Sequence, residues 1–359
     1  MRNIISIVSG KGGCGKSLLT TILGRALSRE GKRVLIIDMD IFVRGLTVLL
    51  YDFKKRQSNK KLLTVSEIFG IYSENSENKK PIEYNSGDLA FERFFECDVL
   101  PAVSNIGDPL DYNDKDLSNQ SFCDKQIKKL LSTIGDDYEY ILIDNRAGMD
   151  SLVLSSCLNS DFVLTIAEDD DVGKQTNLNL VNFLKFNKKI KNIYSIINKA
   201  RKIKDYDALK QRINTRSDFN TVGIIPFDME ILEDFGSERF WMTVNETLYF
   251  RAVIDSWNQL SKNEEVIEIS ESKYRFPPKI FMNRSDGKYT LIERMLRLYS
   301  IAFIMVGFFI YLYSKLRFET LSPIDLVSLI SIITGIVALI LSTTNLRSFL
   351  IGNKDNRRE

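Results

Sequence analysis

The chain has 359 residues, with 49 Lys and Arg against 47 Asp and Glu, and it contains no histidine. A near-balanced charge excludes a globally basic nucleic-acid binder, though not a local basic patch. The missing histidine excludes any Ser-His-Asp or Cys-His arrangement, so a general base must be a carboxylate, a lysine or water.

Residues 4–8, Ile-Ile-Ser-Ile-Val, are an apolar run that reads as a buried strand, and residues 18–27 have helical apolar spacing. Between them lies Ser9-Gly-Lys-Gly-Gly-Cys-Gly-Lys-Ser17. Gly10, Gly15, Lys16 and Ser17 satisfy the phosphate-loop pattern in the strand–loop–helix context it requires. Such a loop turns backbone N–H groups and a helix N-terminus toward phosphate, the lysine reaches the β- and γ-phosphates, and the hydroxyl ligates Mg²⁺. The four cysteines, Cys14, Cys97, Cys123 and Cys157, are far apart and fit a reducing compartment, with Cys14 inert inside the loop. The first apolar run is too short for a signal peptide, so none is expected.

Lys11 makes the segment Lys11-Gly12-Gly13-Cys14-Gly15-Lys16-Ser17, which resembles the deviant phosphate loop KGGxGK[ST] of the MinD/ParA family of ATPases. The resemblance implies a doubly wound, mostly parallel α/β sheet, ATP and Mg²⁺ as cofactors, and a homodimer formed on ATP binding. It also implies that Lys11 crosses the dimer interface to the partner's nucleotide. Gly10, Gly12, Gly13, Cys14, Gly15, Lys16, Ser17 and Leu18 are then the expected nucleotide contacts, with Lys11 and Lys16 catalytic.

Residues 33–38 form a second apolar strand ending in Asp38-Met39-Asp40. This resembles the family's second acidic segment, which implies that Asp40 orients the attacking water and Asp38 supports the Mg²⁺ shell. Residues 51–96 are polar and irregular, with a short helix at 65–71. Residues 97–102 read as a strand, 104–120 as a loop and 122–134 as a helix.

Tyr140-Ile-Leu-Ile-Asp144 is a buried strand with an acid at its tip, and Asp144 is the expected Mg²⁺ ligand beside Ser17. Asn145-Arg146-Ala147-Gly148 resembles the family's switch segment, usually D-x-P-x-G, in which the Gly148 N–H senses the γ-phosphate. Arg146 replaces the proline and is left to pair with an acid, reach a phosphate or partner, or stay in solvent. Residues 161–167 are the next strand. The acidic run Glu168 to Asp171 opens a helix at 172–186, where acids favour the helix N-terminus.

Residues 192–197 form a strand closed by Asn198-Lys199, and residues 223–228 resemble the family's G-x-I-P-x-D loop. By resemblance Asn198, Lys199, Pro226 and Asp228 line the adenine site. The basic stretch at 185–216 reads as a solvated face, with anionic lipid or DNA as lesser alternatives. Residues 240–260 should be the last helices of a domain covering 1–262.

Residues 263–292 read as a linker and 293–346 as a transmembrane hairpin, with spans at about 298–314 and 324–346 and a cytoplasmic tail at 347–359. Arg294, Arg297 and Arg347 flank the spans, so both ends are expected inside. The resulting expectation is a multi-pass inner-membrane ATPase switch that meets the lipid bilayer and recruits a protein partner. A bacterial tyrosine-kinase-like enzyme and a non-catalytic nucleotide-gated scaffold are the alternatives.

Overall fold

The computed structural model describes residues 2–51, 62–73, 83–104, 110–111, 117–187, 190–200, 220–229, 231, 237–274, 276, 304 and 308. The strands are β1 (Asn3–Ser9), β2 (Val34–Asp38), β3 (Tyr72–Ser73), β4 (Glu92–Phe94), β5 (Cys97–Leu100), β6 (Leu110–Asp111), β7 (Tyr140–Ala147), β8 (Phe162–Glu168), β9 (Ile193–Ala200) and β10 (Thr221–Pro226). The helices are α1 (Lys16–Arg29), α2 (Gly45–Tyr51), α3 (Val65–Ile68), α4 (Gln120–Ile134), α5 (Ser151–Leu158), α6 (Asp171–Asn182), α7 (Glu238–Thr243) and α8 (Leu248–Ser261).

Eight strands form one sheet in the order β10-β9-β8-β1-β7-β2-β5-β4, and β3 pairs with β6 apart from it. Every neighbouring pair in the large sheet is parallel except the edge pair β4–β5. Parallel strands need helical crossovers, which cover both faces of the sheet, and this is why the strands are apolar without alternation. Along β2, Val34 and Ile36 pack with α1 and α8, while Leu35 and Ile37 pack with α4. A third cluster joins Val8 to α5, α6 and the β8–β9 side.

The chain leaves β1 toward β2 on one side and later returns through β7 to β8 on the other. The reversal falls beside β1, so the crevice where such sheets bind ligands opens beyond the C-terminal ends of β1, β7 and β2. Those are the ends that carry Ser9, Asp144 and Asp38.

The chain divides into two compact units, Met1–Asn283 and Arg284–Glu359. In the second unit Ile304 and Phe308 are described, and both are helical. No helix among the described residues is long and apolar enough to cross a membrane. The longest, α4, has 15 residues and a charged face, against about 20 apolar residues for a span. The expected multi-pass inner-membrane location is corrected on that finding. The runs at 298–314 and 324–346, with the tail at 347–359, lie outside the described residues.

Part of the expected linker makes contacts with the nucleotide-binding domain. Ile269 is buried, Trp257 donates its indole N–H to the Ile267 carbonyl at 2.8 Å, and Asn258 exchanges two hydrogen bonds with the backbone of Ile269. Residues 263–274 therefore lie against the domain core.

Candidate active site

The loop between β1 and α1 is built from its glycines outward. Gly15 caps α1 with φ 93° and ψ 22°, a left-handed conformation that a side chain rarely adopts, and a Cβ there would stand 2.5 Å from the Asn198 amide nitrogen. Asn198 is buried at the end of β9. Its amide donates to the Cys14 carbonyl at 2.7 Å and to the Tyr249 hydroxyl oxygen at 3.3 Å. Lys199, with φ 57°, donates from Nζ to the Gly13 carbonyl at 2.6 Å. The end of β9 thus grips the loop from outside, and Asn198 and Lys199 bear on its backbone carbonyls. Leu18 and Cys14 are buried in the core beneath, Lys16 is buried, and Ser17 opens α1 beside Gly45.

The carboxylates meet on the far side of the loop. Asp38 and Asp144 are register partners on the adjacent strands β2 and β7, and both are buried. Asp38 is fully committed: one oxygen accepts from the Thr47 N–H at 2.8 Å and its hydroxyl at 2.6 Å, and the other accepts from the Asp40 N–H at 3.1 Å. Asp38 therefore holds the turn that carries Asp40 and the start of α2. Asp40 itself accepts from the Val43 N–H at 3.2 Å.

Asp144 accepts from the Thr20 hydroxyl at 3.3 Å through Oδ1, while its buried Oδ2 has no hydrogen-bond donor among the described residues. Burial pushes Asp38 up to about 7, and the charge of Asp144 adds to the rise. Burial likewise pushes Asp144 up to about 6, with Lys16 and the Ser17 hydroxyl pulling the other way. An orphaned buried carboxylate oxygen facing a serine hydroxyl and a lysine fits a hydrated divalent cation held together with phosphate oxygens. No group of three or more His, Cys, Asp or Glu among the described residues is arranged to hold a metal alone.

Lys11 is held within its own chain. Its Nζ lies 2.7 Å from Asp170 and 3.1 Å from Glu168, and these partners raise its pKa. Asp170 caps α6 through the Gly173 N–H, and Glu168 also faces Lys199 at 3.7 Å.

The model of the CobQ/CobB/MinD/ParA nucleotide binding domain matches residues 5–239. The chain belongs to the CobQ/CobB/MinD/ParA family. Among curated relatives, an uncharacterised ATP-binding protein of Methanocaldococcus jannaschii is 26% identical over 239 residues, covering 64% of this chain and 87% of that protein. The septum site-determining protein MinD of Synechocystis is 52% identical over 50 residues, only 14% of this chain and 19% of that protein. MinD of Pyrococcus horikoshii, solved with Mg-ADP, superposes with a TM-score of 0.54 at 22% identity, covering 73% of this chain and 97% of that one. A putative plasmid partition protein of Borrelia burgdorferi, solved with AMPPNP, gives 0.54 at 21% identity, covering 74% and 100%. These two likenesses show the shared fold.

The switch segment lies at the end of β7. Strand β7 runs on through Ala147, and the Gly148 N–H donates to the Ser9 carbonyl at 2.9 Å. Arg146 pairs with Asp150 at 3.1 Å, and its Cζ lies 5.0 Å from the centroid of the Phe42 ring. Pro226 closes β10 opposite Ala200, and Asp228 lies two residues beyond it, past the end of the strand. Gly12 and Gly13 face open space.

Sequence reasoning missed Glu168 and Asp170 as partners of Lys11, Thr47 as the clamp on Asp38, and Tyr249 behind Asn198. The acidic run was visible in the sequence, but its fitness as a helix N-terminus masked the tertiary contact. Thr47 and Tyr249 left no local signal.

Proposed function

We propose that this chain is an ATP-driven pairing switch that binds Mg-ATP, hydrolyses it slowly, and offers a partner protein a surface that depends on the bound nucleotide. One observation carries the reading: Lys16, Ser17, Asp38, Asp40 and Asp144 converge at the C-terminal ends of β1, β2 and β7, with Asp144 offering an unsatisfied oxygen there. Ser17 and Asp144 would hold Mg²⁺, which supplies charge neutralisation on the phosphates when bound. Lys16 adds positive charge at the β- and γ-phosphates. Asp38 fixes the turn of Asp40 so that its carboxylate is aimed before substrate arrives, and Asp40 orients the attacking water. Phosphoryl transfer asks mainly for such positioning and charge.

Pairing is the finer part of the proposal. The family resemblance gives Lys11 a role across a dimer interface, while in this chain Lys11 rests on Glu168 and Asp170. To act in trans it must exchange those partners for phosphate.

The test combines phosphate release with sedimentation at matched ATP and ADP. Lys16→Ala should abolish nucleotide binding. Asp40→Ala should keep binding, stop release and accumulate the paired form, and Lys11→Ala should bind nucleotide yet stay single. A chain that stays monomeric with ATP in the Asp40→Ala background would sink the pairing proposal. A wild-type chain that binds no ATP would sink the whole reading.

A further inference from the structure

Arg146 stands on the strand that carries Asp144, two residues further on. The β1–β7 register breaks between Ile7 and Ser9, and Ser9 pairs with Ala147, so Arg146 lies level with the start of the phosphate loop. Its Nε meets Asp150, whose other oxygen caps α5 through the Val153 N–H at 2.9 Å. Its guanidinium lies over Phe42, two residues beyond Asp40. The two terminal nitrogens make no hydrogen bond among the described residues, and the side chain is 38% exposed. A structural arginine is normally satisfied on its forked end. Here that end meets no hydrogen-bond partner among the described residues, and the two contacts that hold the side chain, a half-exposed ion pair and a half-exposed ring contact, are both weak.

We propose that Arg146 is an arginine arm supplied by the chain itself, which leaves Asp150 to grip the terminal phosphate of bound ATP and stabilise its charge as the bond breaks. The inference rests on the ATPase reading above. The step served is attack of water on the γ-phosphorus. A bond forms from the water oxygen to phosphorus, and the bond from phosphorus to the β–γ bridging oxygen breaks. Its electron pair leaves on ADP, and the water proton ends on the released phosphate. Charge spreads over the equatorial oxygens in that step, and a forked guanidinium matches two of them at once, which a lysine cannot. Asp150 is the resting place that keeps the arm at the rim until phosphate competes for it.

The experiment uses the full chain with Arg146→Ala, Arg146→Lys and Asp150→Asn. It measures phosphate release at saturating Mg-ATP and the affinities for ADP and for ADP with aluminium fluoride. Arg146→Ala should lower turnover about a thousand-fold. It should leave ADP affinity within about three-fold and abolish the tighter binding that aluminium fluoride confers on ADP. Arg146→Lys should recover a minor part of the turnover. Asn still caps a helix, so Asp150→Asn should keep turnover at or above wild type. Arg146→Ala with wild-type turnover, or with weakened ADP binding and unchanged turnover of the bound fraction, overturns the arm and leaves the ATPase reading standing. A wild-type chain that binds nucleotide but releases no phosphate overturns both.

Discussion

Asp38 and Asp144 lie side by side on β2 and β7, both out of water, and among the described residues neither has a cationic side chain hydrogen-bonded to it. Removal from solvent, reinforced by their mutual repulsion at Asp38 and opposed by Lys16 at Asp144, raises both, to about 7 and about 6. In the unfolded chain the same groups titrate near 4. Between those limits the folded chain binds more protons than the unfolded one, so its stability falls as pH rises. The nucleotide-free chain should therefore lose urea resistance from pH 5 to pH 7.5, with a slope of at most about 1.4 kcal/mol per pH unit for each proton involved. Asp38→Asn should remove most of that slope whatever it does to absolute stability. A urea midpoint that is flat or rises over this range in the wild-type chain would show that the pair is not under strain. The strain has a use at this site: Asp144, raised by burial and carrying an oxygen with no hydrogen-bond donor among the described residues, is poised to give up its proton to a cation near neutral pH.

Elements differ in how openly the sequence announced them. Strands β1, β2, β7, β8 and β9 were legible because a parallel strand covered on both faces is a mostly apolar run, α4 because it buries one stripe, and α1 and α8 because they are apolar helical runs buried over most of their surface. The short edge strand β4, Glu92–Phe94, was missed because a strand with one neighbour needs no such run. Helix α5 was missed because its buried Ser155 and Ser156 read as polar breaks. In the fold Ser156 returns its hydroxyl to the Leu152 carbonyl at 3.0 Å, and Ser155 reaches the Gln120 carbonyl at 3.3 Å. The phosphate loop was legible as a pattern of residue types, whereas the grips on it, by Asn198, Lys199 and Glu168, exist only once β8 and β9 lie side by side. Gly223 shows the same limit from the other direction. It resembled part of a base-contacting loop, yet in β10 it is the point where α8 packs closest. A Cβ there would stand 2.3 Å from the Ser256 Cβ and 3.1 Å from its Cα. Gly223→Ala should cost about 3 kcal/mol in urea unfolding, and Ser256→Gly in that background should restore part of it. A loss below about 0.5 kcal/mol would mean that the helix yields freely.

At the scale of the whole molecule, the boundary of the nucleotide-binding domain is set by residues that look like solvent-exposed linker. Their charges have partners on α1 and α8: Lys273 reaches Glu30 at 2.6 Å and the Arg29 carbonyl at 3.1 Å, the Ser270 N–H donates to Glu30 at 3.0 Å, and Glu271 meets Arg251 at 2.9 Å. Their apolar residues fill gaps at the domain edge, with Ile269 buried and Tyr274 against Phe250 at a centroid distance of 5.0 Å. The segment is thus a strap across the end of α1 opposite the phosphate loop, one helix of 14 residues away. The Lys273 ion pair contributes little by itself, because Lys273 is solvent-exposed, so Lys273→Ala should cost no more than about 1 kcal/mol. Burial of Ile269 dominates: Ile269→Ala in the full chain should cost about 2–5 kcal/mol and open residues 263–274 to limited proteolysis. A linker would respond to the same substitution by less than about 0.5 kcal/mol, and that result would return the domain boundary to residue 262.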